Sequence, residues 1–85
     1  MKANLMTWKD WHELYLDDIR FDLYLKESLK LLLVKYAHDE RGDSFRSMIK
    51  AIDKEIEIQC KEYKKVYGDR PPMRRLREEA QKLSS

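Results

Sequence analysis

The feature that most constrains this chain is a run of mostly apolar side chains that recur every three or four residues between positions 45 and 66. The steps alternate between four and three, which matches one side of an α-helix with 3.6 residues per turn. Charged residues fill most of the opposite side. Because an apolar stripe of this length is unstable in water, it requires a partner surface. The stripe consists of Phe45, Ile49, Ile52, Ile56, Gln59, Tyr63 and Val66.

A second long helix is predicted over residues 8–38, which contain neither glycine nor proline. Thr7 suits an N-cap and Asp10 follows three residues later, as in a capping box, so the helix is expected to begin at Trp8. Its apolar side is wider than a single neighbouring helix needs. We therefore expect this helix to contact two neighbours.

Residues 19–25 of the same segment alternate between apolar and polar, a spacing that is also typical of a strand. No second convincing strand is present to pair with it, and an isolated strand is unstable. The helix is therefore the better interpretation, with a break allowed near Asp17–Asp18.

Two turn signals divide the rest of the chain. Gly42 suits the position after a helix C-terminus, and Asp43 or Ser44 suits the N-cap of the next helix. Gly68 ends that helix, and residues 69–72 form a second turn. The predicted fold is all-α: one domain (residues 1–85) with an antiparallel hairpin of two long helices (8–38 and 44–67) and a short C-terminal helix (72–83), dimerising into a helical bundle.

Chain length and composition favour a small intracellular protein that associates. An 85-residue chain buries roughly 60–65% of its unfolded surface and often relies on a second subunit. Cys60 is the only cysteine, so no internal disulfide forms. No secretory signal or bilayer-spanning apolar run is visible, so we expect a cytoplasmic protein without membrane contact. We predict a homodimer with Trp8, Trp11 and Tyr15 at its interface.

No motif for catalysis, metal or cofactor binding is complete. His12-Glu13 begins the HExxH zinc pattern, but Leu16 occupies the second histidine position. Cys60 has no neighbouring base that would activate it as a nucleophile, and a small buried apolar side chain at the edge of the helix stripe is the better interpretation. We therefore expect no enzyme activity, no metal and no cofactor.

Asp18 and Asp22 stand one helical turn apart on an otherwise apolar side of the first long helix. Such a pair is costly unless a cation meets it. One hypothesis is a divalent metal site or a socket for an arginine of a partner. The alternative is pairing within the chain, to Lys26, Arg20 or Arg46.

Basic residues concentrate between positions 60 and 77, where seven cations accompany two anions. Arginine and tyrosine suit contacts with phosphate groups and also with an acidic protein surface. The alternative is a solvated face in which Arg74 pairs with Glu78 and Arg75 with Glu79. The candidate partner-binding residues are Lys61, Lys64, Lys65, Tyr67, Arg70, Arg74, Arg75 and Arg77.

Three functional hypotheses follow. The first is a non-enzymatic adaptor, regulator or inhibitor that binds a protein partner, a style of protein common in phages and mobile elements; its contacts are the basic segment or Trp8, Trp11, Tyr15, Asp18 and Asp22. The second is nucleic-acid binding through the basic segment, for which the net charge of +2 is low. The third is a helical enzyme with a site at the dimer interface. It ranks last, because the inward positions carry aspartates rather than the arginines or lysines that would hold a dicarboxylate.

Overall fold

A computed structural model describes residues 8–84, with side chains from residue 9 to residue 83, and these residues form three α-helices. Helix α1 spans Trp8–Lys35, α2 spans Glu40–Tyr67 and α3 spans Met73–Ser84. The all-α prediction is confirmed, and α1 runs unbroken through Asp17–Asp18. Thr7, the predicted cap, lies outside the described residues.

The two long helices form an antiparallel hairpin. His12 near the start of α1 contacts Tyr63 near the end of α2, and Tyr36 after α1 contacts Phe45 near the start of α2. The short helix α3 folds back and packs against α1. Helix α1 therefore has two neighbours, as its wide apolar side predicts, and the second neighbour belongs to the same chain.

The core lies where α1 sits between α2 and α3. Apolar side chains of all three helices are buried there at the spacing of three, four or seven residues that brings them onto one side of each helix. They are Leu16, Ile19 and Leu23 of α1, Ile56 and Tyr63 of α2, and Leu76 and Ala80 of α3.

The first turn differs from the prediction. Helix α2 begins at Glu40, four residues earlier than expected, because Asp39 acts as the N-cap and accepts a hydrogen bond from the Arg41 amide at 2.7 Å. Gly42 is buried in the first turn of α2 instead of following α1. A Cβ atom there would lie 2.7 Å from the carbonyl oxygen of Tyr36. The glycine thus permits a close approach between the turn and the helix.

The second turn follows the prediction closely. Gly68 ends α2 in the left-handed conformation, with φ of 77°, and donates its amide to the Lys64 carbonyl at 2.8 Å. Helix α3 begins at Met73, one residue later than predicted. The Pro72 carbonyl accepts from the Leu76 amide at 3.1 Å, so this proline stands immediately before the helix.

Candidate interaction surfaces

An aromatic cluster joins the N-terminal part of α1 to the C-terminal part of α2. Nε2 of His12 lies 2.6 Å from the Tyr63 hydroxyl, and the Tyr67 ring packs against His12 and Tyr15 with centroid distances of 4.8 and 5.6 Å. Burial raises the pKa of Tyr63. Tyr15 and Tyr67, both predicted to contact a partner, are therefore engaged inside the chain.

A different side of the hairpin exposes large apolar side chains. On α1, Trp11, Leu14 and Phe21 are exposed by 51, 43 and 58%. Phe21 lies between the buried Ile19 and Leu23 in the chain. It stands about 200° around the helix from each of them, at roughly 100° per residue, so it points away from the core. Trp11 was predicted to lie at an interface. Trp8 was predicted there too, and only its backbone is described.

Helix α2 extends this exposed surface. Ile58 and Val66 are exposed by 46 and 41%. The two helices meet in a shallow hollow of about 380 Å³ lined by Leu25, Leu29, Met48, Ala51 and Ile52. We name the whole surface the α1–α2 face; it comprises Trp11, Leu14, Asp18, Phe21, Asp22, Leu25, Leu29 and Leu32 of α1, and Met48, Ala51, Glu55, Ile58, Glu62 and Val66 of α2.

The α1–α2 face concentrates the exposed apolar surface of the molecule. Seven of the ten strongly exposed large apolar side chains among the described residues belong to it, and the others are Leu31, Val34 and Leu83. Residue spacing did not identify Phe21 and Ile58 as site residues. The available signal was that each follows an apolar residue seven positions earlier, Leu14 and Ala51 respectively, outside the stripe that faces the core.

Asp18 and Asp22 lie within the α1–α2 face. The Asp22 carboxylate accepts a hydrogen bond from the Gln59 side chain of α2. Its pKa is raised by partial burial and by the negative charge of Asp18, against the lowering effect of the Gln59 hydrogen bond. The Asp22 carboxylate is thus partly desolvated and is repelled by the neighbouring Asp18.

The cations considered as partners of these aspartates pair elsewhere. Lys26 Nζ lies 2.6 Å from Asp53, and Arg46 lies 2.9 Å from Asp43. Arg20 bonds to Asp17 and to Glu79 of α3. Among the described residues no ion pair forms at Asp18 or Asp22. Of the three cations, only Arg20 pairs with an aspartate of this stretch, and that aspartate is Asp17.

A basic groove lies on the other side of α2, beside the segment that leads into α3. It has a volume of about 480 Å³. Ile56 and Pro71 form a buried floor, with Cys60 and Met73 half-buried beside them. Lys61, Lys64, Arg70 and Arg77 supply cations, and Asp53 and Glu57 complete the lining.

The predicted basic segment is divided by this geometry. Arg74 pairs with Glu78 at 3.6 Å and Arg75 with Glu79 at 3.4 Å, as the solvated-face alternative predicts. Lys61 pairs with Glu57 at 3.2 Å. By contrast, Lys64, Arg70 and Arg77 form no ion pair with a described residue and line the groove together, whereas Lys65 is exposed outside it.

Cys60 lines the basic groove beside its buried floor. Its Sγ contacts the Met73 Sδ at 3.7 Å. Burial raises the pKa of the thiol, and nearby Arg77 acts in the opposite direction. Within residues 8–84, no group of three or more histidine, cysteine or acidic side chains is arranged to hold a metal ion.

The geometry defines an all-α, three-helix protein with an apolar, acidic surface and a separate basic groove. None of the helices in the described range is long and apolar enough to cross a lipid bilayer. Comparisons with protein families, with curated proteins and with solved structures found no match.

Proposed function

We propose that this protein is a non-enzymatic interaction module that binds another protein through the α1–α2 face, as an adaptor, regulator or inhibitor. The observation that carries the proposal is the concentration of exposed apolar side chains on one side of two regular helices. Contiguous apolar patches on a protein surface mark interaction sites, because covering them is favourable.

Affinity purification of the tagged protein from its own host, with nuclease treatment, tests this proposal. We expect the double variant Leu14→Gln/Phe21→Gln to lose the partner. The matched control Leu31→Gln/Val34→Gln changes residues that are at least as exposed but lie outside the face. Equal retention of the partner by both variants, or equal loss, contradicts the proposal.

Nucleic-acid binding through the basic groove is the second candidate function. Lys64, Arg70 and Arg77 line one groove without ion pairs to described residues, so their charges are available to phosphate groups. The low net charge of +2 ranks this candidate second.

Fluorescence anisotropy with duplex and single-stranded DNA at two salt concentrations tests the groove. Binding through phosphate contacts weakens steeply with salt. We expect Lys64→Gln/Arg77→Gln to bind less, and Lys50→Gln/Lys54→Gln, which changes two exposed lysines outside the groove, to bind as the parent does. No binding at low salt rejects this candidate.

Homodimerisation stays a proposal and ranks behind a different protein partner. Trp11 is available for the predicted interface, but Tyr15 packs within the chain. A two-fold contact through the α1–α2 face brings the same surface of both copies together, so the acidic residues of two faces would share one interface. Sedimentation equilibrium at micromolar concentration distinguishes a dimer from a monomer.

A further inference from the structure

The acidic residues of the α1–α2 face extend across both helices. Asp18 and Asp22 lie on α1, and Glu55 and Glu62 lie on α2 among its exposed apolar side chains. Neither lysine nor arginine occurs at the positions that make up the face. The charged residues assigned to the face are therefore all acidic, and the exposed Lys54 and Lys65 lie at its edge, four residues before and seven residues after Ile58.

This charge limits what can cover the face. A purely apolar surface would bury the Asp18 and Asp22 carboxylates without a counter-charge, which costs more than the added apolar contact can easily offset. A second copy of the chain would add acidic residues to acidic residues. A partner surface that presents both apolar and cationic groups covers the apolar side chains of the face and pairs with its carboxylates.

The length of the α1–α2 face matches that of a helix. The stripe on α1 runs from Trp11 to Leu32 and is about 32 Å long at roughly 1.5 Å per residue, which corresponds to a helix of about 21 residues. The neighbouring stripe on α2 lies beside it and shares the apolar hollow at Leu29 and Met48. Two stripes side by side with a hollow between them form the type of surface into which an amphipathic helix places its apolar side.

Building on the proposed function, we propose that the α1–α2 face binds an amphipathic helix of another protein that carries arginine or lysine opposite Asp18 and Asp22. Apolar residues of that helix, at steps of three and four, fill the hollow and cover Phe21. The cation at the centre of that helix pairs with Asp18 and Asp22, which form no ion pair with the described cations of this chain. The raised pKa of Asp22 is consistent with this arrangement, because a cation would relieve the repulsion by Asp18.

Three synthetic helical peptides of about 21 residues test the proposal. They share leucines at steps of three and four and differ only at two central positions, which carry arginine, glutamine or glutamate. Binding to the intact protein is measured by fluorescence anisotropy at low and high salt. We expect the arginine peptide to bind about tenfold more tightly than the glutamine peptide, and the glutamate peptide to bind most weakly.

The double variant Asp18→Asn/Asp22→Asn locates the effect. Asparagine keeps the size of the side chain and removes its charge, so we expect the preference for arginine to disappear while glutamine-peptide binding persists. The matched variant Asp43→Asn/Asp53→Asn removes two aspartates outside the face and should keep the preference. Circular dichroism of both variants checks that the helices are retained.

Several results would overturn the inference. They are equal binding of the three peptides, no binding of any of them, or a preference for arginine that survives in Asp18→Asn/Asp22→Asn. Self-association that Phe21→Gln abolishes and that excludes the arginine peptide would assign the face to a second copy. If the host partner depends on Leu14 and Phe21 while no arginine preference exists, the proposed function stands and only this inference fails.

Discussion

The two halves of α1 follow the same helical pattern but are covered very differently. Leu16 and Val34 are separated by about five full turns, so they lie on the same side of the helix. Leu16 is 1% exposed, whereas Val34 is 81% exposed. Helix α3 has 12 residues against 28 residues in α1. At the rise of an α-helix, α3 extends only about 18 Å and α1 about 42 Å. Residue spacing thus identifies the side of a helix that needs cover, but not whether the chain supplies it.

The half of α1 that α3 does not cover is held by local contacts and not by a core of buried residues. The Tyr36 and Phe45 rings pack with centroids 6.0 Å apart, and the Arg41 guanidinium lies 4.5 Å from the Tyr36 ring centroid. The buried apolar residues of the core lie at the other end of the hairpin. We therefore expect the hairpin end to open before the three-helix end, because regions with little buried apolar contact have low local stability.

The largest expected effect is the loss of core packing at the three-helix end. Leu76 is fully buried. Leu76→Ala should therefore cost about 2–5 kcal/mol of unfolding free energy and release α3 from α1. Leu29→Ala, in the half of α1 that α3 does not cover, should cost only about 1 kcal/mol. Urea unfolding of the two variants measures the difference, and equal costs would remove the distinction between the ends.

The next effect concerns the turn that holds the hairpin end. A Cβ at Gly42 would lie 2.7 Å from a backbone carbonyl oxygen. Because that oxygen cannot easily move, Gly42→Ala should cost about 1–3 kcal/mol. Gly68→Ala is the comparison: a Cβ placed there would have no described heavy atom within 4 Å beyond its chain neighbours, so its cost comes from the positive φ alone. Thermal unfolding measures both. A neutral Gly42→Ala would show that the turn relaxes freely.

A smaller effect is expected in the aromatic cluster. Tyr63→Phe removes the contact between the tyrosine hydroxyl and His12. The loss of this hydrogen bond should cost about 0.5–1.5 kcal/mol. Tyr24→Phe, also beside the core but without a hydrogen bond from its hydroxyl to a described residue, should change little. Urea unfolding of the pair tests whether the hydrogen bond, more than the ring, contributes stability. Equal changes would argue against that role.

The smallest effect is a gain in stability at Asp22. Its pKa is raised in the folded state, so the charged carboxylate is disfavoured once the pH rises through that pKa. Below the unfolded pKa of about 4 the group is neutral in both states. Asp22→Asn should therefore raise the melting temperature slightly at neutral pH and leave it nearly unchanged at about pH 3, because solvent screens this partly exposed group. A gain of the same size at both pH values would contradict this account.

Residue spacing identified only part of the candidate surfaces. Trp11, Asp18 and Asp22 were identified because polar or aromatic groups on a predicted helix side are visible in one dimension. Phe21 and Ile58 were not, because their exposure depends on which side of each helix its neighbours cover. The cations that were expected to neutralise the aspartates also pair differently, since Arg20 and Lys26 meet partners that only the folded chain brings within reach.

Helical periodicity and glycine conformation are local properties, so residue order was sufficient to establish the three helices, the antiparallel hairpin and the end of α2 at Gly68. It was not sufficient to establish that α3 covers the first half of α1, or that Asp18 and Asp22 meet no described cation. Nor did it place Lys64, Arg70 and Arg77, which have no ion pair with a described residue, in one groove. These features arise in the folded chain, because burial and charge pairing depend on distances between residues far apart in sequence, and residue spacing carries no information about those distances.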